Sequence, residues 1–585
     1  MPKSIDLMPE HRAQLGRNMH NLSHDFSFTA TTGHLLPVFH DVLNPGERVD
    51  VGLSFELRTQ PLQSAAMADI DVHTEFFFVP MMLLYSPFES YFYGVNDQYS
   101  SSFHRANIND GLPVLDFSAL KTSLESNTSL MSVYGDNLLG SCYRLFEHLG
   151  YANTQTSPVP AFNFFPAALL AYNCIYEYYY RLDTRETFNN SFFNWDNYYN
   201  SSLVQLDSVA FASICSLKHR PLYDDYFTSV KVSPIVDVLN LVGQDLGFDL
   251  ANNWLSRSSI NDGFNAGDVL SQGTIGSDSS APASSVPSDE ITTNFGFGSV
   301  SSSSPYSNGL DINTANIRAM FANEKLWSVT GRAKKHYDDQ TLAHFGIKVP
   351  HDVKHQISCF GHDITPIKIG EVISTASTDA APLGEIAGKG YSYQNSNIHK
   401  FTAPVHGIVM AIMSIVPKVS YRETFLKVNQ LTDRNSFYHP EYDHLGMQPL
   451  FAYEANGGDD TSIYGWQYRY EQFKRRYNRV TSAFNTRGSL NSWKVSMKPY
   501  YGVYQYNEAN EASFADFLCS STMLNEVMLV SYDPAFVPYG STTVGDVEVA
   551  NRYLMYDKDP FVISSHITCK KYSSMSDYSL PKLID

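Results

Sequence analysis

One stretch constrains the fold more than any other. In Arg48 to Arg58, RVDVGLSFELR, Val49, Val51, Leu53, Phe55 and Leu57 hold every odd position, while Arg, Asp, Gly, Ser, Glu and Arg hold the even ones. Successive side chains of a strand point to opposite faces, so this alternation predicts a strand with one face in a core and the other in water. It leaves the turn Asn44-Pro45-Gly46-Glu47. HLLPVFHDVL before it and the run from Ile70 after it make three antiparallel strands near the N-terminus. No alternation of strands and helices in βαβ order follows, which leaves an antiparallel sandwich or barrel as the expected class.

The run from Ile70 changes character along its length. Ile70, Val72, Thr74, Phe76 and Phe78 share one side, while Asp69, Asp71, His73 and Glu75 on the other give way to Phe77 and Val79, and EFFFVPMMLL ends apolar on both. The start should keep a wet face. The end must be covered, either by another part of the chain or by another copy of it. The longest oily run, Gly407 to Val416 (GIVMAIMSIV), lies between Pro404 and Pro417. It falls short of the roughly 20 residues of a membrane helix and reads as a strand buried on both faces. Phe164 to Arg181 is apolar or aromatic nearly all round, as in a helix packed on several sides. A second helix is expected from Ala315 to Val329.

Composition matters here for what it excludes. A net charge of −19 rules out nucleic-acid binding by the whole surface, so any such binding must be local. Aromatic residues make up 14% against 17% charged, which suits either an aromatic-rich β core or a surface given over to contacts. The cysteines are scattered without a CxxC pair and read as reduced, buried thiols. The N-terminus, MPKSIDLMPEHRAQLGRN, lacks the apolar core of a cleaved signal peptide. The chain reads as one unit, 1–585, with a loop-rich insertion at 96–160 and a Ser/Gly-rich surface insertion at 245–312. Within the latter, residues 256–310 carry 16 serines, and no Lys or Arg occurs from Ser258 to Ile317, so it is either a protrusion or an exposed segment without a task.

No catalytic motif emerges. PLGEIAGKGY has too few residues before Gly388-Lys389 for a phosphate loop, and Gly390 stands where Ser or Thr should bind magnesium. His351 and His355 have helical zinc spacing but follow Pro350 and lack the adjoining Glu of a metalloprotease. No GxSxG elbow occurs, so neither an enzyme nor a cofactor is expected. The strongest basic cluster is YRYEQFKRRYNRV, Tyr468 to Val480, with Arg469, Lys474, Arg475, Arg476 and Arg479 among Tyr468, Tyr470, Phe473 and Tyr477. Cations for phosphates interleaved with rings for bases suit single-strand binding. The same residues equally suit a charged strand facing acidic neighbours across a subunit contact. Arg332, Lys334 and Lys335 form a smaller cluster with the same two readings.

In order along the chain, HDFSFTATTGHLLPVFHDVLNPGERVDV, VHTEFFFVPMMLL, IYEYYYR, RPLYDDYFTS, LAHFGIKVP, APLGEIAGKG, HGIVMAIMSIVPKVSY and FYHPEYDHLGMQPLF resemble the major capsid protein of microviruses, closest to the gokushovirus-like branch. The resemblance runs from His24 to Tyr500. It implies an eight-stranded antiparallel jelly roll of viral capsid type with long, partly helical insertions. It further implies a T=1 shell of sixty copies, with pentamers as intermediates, around a circular single-stranded DNA genome. Partners would be a small basic DNA-packaging protein, a pilot or minor capsid protein and a host surface receptor, but no membrane. The protein would be assembled in the bacterial host cytoplasm and reside in the virion, with the serine-rich insertion projecting from the particle. On this reading the basic clusters face DNA, and Phe76, Phe77, Phe78, Met81, Met82, Leu83 and Leu84 enter subunit contacts. A receptor- or carbohydrate-binding β-sandwich spike of a virion is the alternative.

Overall fold

The computed structural model describes residues 17–85, 88, 92, 115–116, 138–151, 163–164, 166–182, 215–231, 325–326, 329–330, 337–346, 356–373, 386–432, 436–443, 446–456, 463–485, 488–497, 518–532, 543–544, 547–548 and 558–575. Eight strands organise the chain: β1 (His24–Ala30), β2 (Leu36–Leu43), β3 (Arg48–Thr59), β4 (Ile70–Pro80), β5 (Ser358–Ile373), β6 (Ile386–Gln394), β7 (Gly407–Pro417) and β8 (Phe561–Ser573). All of their pairings are antiparallel. One sheet runs β1-β8-β3-β6 and the other β2-β7-β4-β5.

The pairs nest: β1 with β8, β2 with β7, β3 with β6, β4 with β5. That is one long antiparallel hairpin rolled into two sheets, the topology of a jelly roll. The long strand β5 turns the corner, pairing with β4 from Ser358 to Ile367 and with β6 from Lys368 to Ile373. Two short strands extend the first sheet, Asn18–Asn21 along the end of β8 and His399–Thr402 along β3. β8 lies beyond the reach of the sequence resemblance, yet it sits between β1 and β3 in the middle of its sheet.

Two compact units are distinguished. The first comprises Met1–Val232, Pro350–Tyr438 and Pro449–Asp585 and contains the jelly roll. The second comprises Ser233–Val349 and His439–Gln448; its described part includes the helix Tyr337–Phe345, where His344 Nε2 lies 3.0 Å from Thr330 Oγ1. The serine-rich insertion, His351 and His355, and Arg332, Lys334 and Lys335 lie outside the described residues, as does most of the helix expected from Ala315. Within 96–160, the described part includes a helix, α1 (Leu138–His148).

In β3 the face expected to be wet is so only towards Arg58, Asp50 and Gly52 being buried, whereas the core half of the alternation is realised: Val49, Val51, Leu53, Phe55 and Leu57 are buried. They meet the buried alternate residues of β8, among them Phe561, Ile563 and Ile567, in one apolar core. Strand β7 is buried on both faces along its whole length, as its continuous apolar run requires. Gly407 opens it where a Cβ would stand 2.4 Å from the Phe78 ring, so only glycine lets the two strands approach there. Helix α2 (Ala167–Ile175) continues as a π-helical turn, Tyr176–Tyr180, and is buried all round.

Strand β4 departs from two expectations. Its polar start is not wet, because Asp71, His73 and Glu75 are all buried. Its phenylalanines are not left for a neighbouring subunit: Phe76, Phe77 and Phe78 are each about 1% exposed within the single chain. Phe76 packs against His399 and Phe78 against Phe401, with ring centroids 4.9 and 4.8 Å apart, in the space between the sheets. Phe77 points the other way, 5.0 Å from the Tyr179 ring. Met81 and Leu84 are buried as well, leaving only Met82 and Leu83 half-buried. The physical reason is that the insertion after β4 folds back, laying helix α2 over β4 and β7 and the π-helical turn over Phe77 on the outer face of β4. That face is therefore dry within the protomer. Among the cysteines, all free, five are buried as expected and Cys359 is exposed.

Candidate nucleic-acid interface

The basic segment begins where Ile463–Tyr468 ends as a strand. Tyr470 adopts a left-handed backbone, φ 65°, which reverses the chain into the single turn Glu471–Lys474. A non-glycine residue pays for that geometry with roughly 1–2 kcal/mol, offset here by burial of the Tyr470 side chain. From Arg475 the chain runs extended. It is clamped at its far end by Tyr421, whose N–H donates to the Asn478 carbonyl at 2.8 Å and whose carbonyl accepts from the Val480 N–H at 3.0 Å.

Tyr477 anchors this ribbon from below. Its ring lies 4.6 Å from Phe227 and 5.4 Å from Tyr226, in a cluster that also holds Tyr421 and Tyr464. Burial pushes the Tyr477 hydroxyl above its ordinary pKa. The cations stay outside. Lys474, Arg475, Arg476 and Arg479 are exposed and Arg469 is half-buried, with its guanidinium 5.1 Å from the Tyr470 ring. Arg475 pairs with Glu471 at 2.7 Å, and Lys474 donates to the Arg469 carbonyl at 3.0 Å. Arg476 and Arg479 have no carboxylate within ion-pair distance among the described residues.

The ribbon therefore brings together all five basic residues singled out in the sequence, but divides the rings into two groups. Tyr470 and Tyr477 are structural. Phe473 and Tyr468 are 46% and 37% exposed, and they are joined by Tyr438, 53% exposed with its ring 5.1 Å from Tyr470. Tyr438 was not legible as a partner because it lies far upstream; only the fold brings it beside the ribbon. Guanidinium groups in water beside exposed ring faces can neutralise phosphates and stack bases without reading sequence.

A second constellation escaped sequence reasoning altogether. Across the covered face of β4, Arg220 clasps Glu75 with two hydrogen bonds, Nη1 to Oε2 at 2.8 Å and Nη2 to Oε1 at 2.9 Å, while the Tyr180 hydroxyl donates to Oε2. Arg220 holds the Glu75 carboxyl below its usual pKa despite burial. Tyr223 donates to Asp71 at 2.9 Å, and Lys418 pairs with Asp71 at 3.0 Å. A cavity of about 320 Å³ opens beside Glu75, lined by Tyr179, Tyr180, Arg220, Tyr223 and Cys359. The only sequence signal was the row of polar residues at the start of β4.

Comparison with known proteins gives a consistent picture. The family profile described as Capsid protein (F protein) matches residues 11–124 and 141–502. Capsid protein VP1 of Chlamydia phage 1 is 23% identical over 591 aligned residues, covering 90% of this chain and 93% of that protein. Capsid protein VP1 of Bdellovibrio phage phiMH2K is 25% identical over 130 residues, covering 21% of this chain and 24% of its own.

Proposed function

Because the chain belongs to the capsid protein (F protein) family of phages, as a major capsid protein of the microvirus type, we propose that sixty copies of it close a T=1 icosahedral shell around a circular single-stranded DNA genome. The observation that carries this reading is a family match running over most of a chain whose strands nest as a jelly roll. Two sheets closed on each other leave few free edges, and the long connections supply the surface for contacts with further copies.

The ribbon of Arg469, Lys474, Arg475, Arg476 and Arg479 is the proposed DNA-facing surface, with Arg332, Lys334 and Lys335 as a second, weaker one. With −19 on the whole chain, packaging relies on these local patches and on a small basic partner protein. A pilot or minor capsid protein and a host receptor complete the proposed partners, and the serine-rich insertion is the proposed projection. Since the phenylalanines of β4 are spent inside the protomer, the subunit contact is assigned to surface that remains. Met82 and Leu83 are half-buried, and Ile364, Tyr391 and Tyr393 stand 54%, 47% and 55% exposed on the outer side of β5 and β6.

Expression of the full chain followed by electron microscopy tests the reading. Closed particles of uniform diameter are expected. Discrete trimers or pentamers without shells would favour the attachment-protein alternative, and a stable monomer at all concentrations would overturn the shell assignment.

A further inference from the structure

We propose that His73, Glu75 and His362 form a binding site for one zinc-class divalent ion. This inference is independent of the shell reading. His73 and Glu75 are two residues apart on β4 and so share its covered face, and Glu75 is the register partner of His362 on β5. Their ligand atoms all lie within 4.8 Å of one another. His73 Nδ1 is 3.0 Å from His362 Nε2, and His362 Nε2 is 3.4 Å from Glu75 Oε1. Donor atoms bound at about 2.0–2.1 Å around a tetrahedral zinc ion stand about 3.3 Å apart, close to what these strands already impose.

The surroundings hold each ligand in the state a metal needs. The other ring nitrogen of His73, Nε2, lies 2.6 Å from the Tyr223 hydroxyl, which itself donates to Asp71. The Tyr223 hydroxyl thus accepts from Nε2–H, which leaves the lone pair on Nδ1, facing His362. A carboxylate, carbonyl or water on the far nitrogen is the usual outer support of a metal-ligating histidine, and here the Tyr223 hydroxyl, held by Asp71, takes that place. Arg220 and Tyr180 fix the Glu75 carboxylate, and Arg220 offsets part of its charge, which sets the affinity below that of an unopposed site. His73 and Glu75 are buried, whereas the His362 side chain is 41% exposed and supplies the way in. Two imidazoles with one carboxylate suit zinc, cobalt or nickel and not calcium or magnesium, which take oxygen ligands.

Binding joins β4 to β5 just before β5 crosses from one sheet to the other.

The test uses the full-length protein, stripped with EDTA and dialysed against CoCl2 or ZnCl2. The expected result is about one tightly held ion per chain, with the visible d–d bands of cobalt in a non-octahedral nitrogen and oxygen site. His362→Ala, a change at a half-exposed residue, should abolish the bands, while cooperative unfolding of the metal-free variant shows that the chain still folds. Tyr223→Phe, which frees the far side of His73, should weaken binding about 10–100-fold. Wild-type protein that binds no stoichiometric cobalt, or bands that survive His362→Ala, would overturn the assignment.

Discussion

The connection between helix α1 and the last strand is the most demanding place to test the packing. Arg144 of α1 and Asp559, just before β8, form an ion pair whose side chains are 3% and 0% exposed. Thr29 donates to the same carboxylate oxygen at 2.5 Å, and Arg144 Nη1 lies 3.1 Å from His34 Nδ1. At an effective dielectric near 20, opposite charges at about 4 Å attract by roughly 4 kcal/mol, and closer contact gives more. Most of that attraction offsets the cost of taking both ions out of water, so the pair adds little net stability. Removing one partner strands the other. Arg144→Met and Asp559→Leu should each destabilise the protomer by about 3–5 kcal/mol, while the double variant should cost no more than either alone. Chemical denaturation of the purified chain, followed by intrinsic fluorescence, measures all four corners of the cycle. Additive single effects, or single effects below about 1 kcal/mol, would refute the reasoning that these charges depend on each other.

Replacing Arg475, Arg476 and Arg479 together with Gln should flatten the salt dependence of single-stranded DNA binding by about two log units per log unit of salt, at about 0.7 per phosphate contact; fluorescence anisotropy with an oligonucleotide across a salt series reads the slope. Phe77→Ala should cost about 3–5 kcal/mol of protomer stability by opening a cavity under Tyr179, whereas Tyr391→Ser with Tyr393→Ser should leave the protomer's unfolding curve in place and block particle formation, as seen by light scattering. The His148 ring packs against both Phe26 and Phe28, and desolvation, reinforced by the Arg144 cation, pulls its pKa down to about 3. Its folded pKa lies below the unfolded value of 6.5, so stability is intact above pH 6.5 and falls as pH drops towards 3, by up to about 1.4 kcal/mol per unit. His148→Gln should flatten that part of a stability-against-pH curve.

What consecutive residues determine by themselves was legible from the start. The period-two pattern of RVDVGLSFELR and the unbroken apolar run of β7 each specify a strand and its degree of burial, because side-chain direction follows from position along one strand. The basic ribbon was legible for the same reason, since its cations are neighbours in sequence. What covers a strand is a different kind of question. Arg220 lies 145 residues from Glu75 and Tyr438 lies upstream of the ribbon it joins, and nothing in local periodicity records either meeting. A polar row such as Asp71, His73 and Glu75 looks wet in sequence because a partner that would satisfy it in a dry place is supplied only by the returning chain. Tertiary structure alone therefore decided that the rings of β4 belong to the protomer's own core and that its charges are buried. Burial depends on which surfaces the whole chain brings together, and the order of residues along one strand does not contain that.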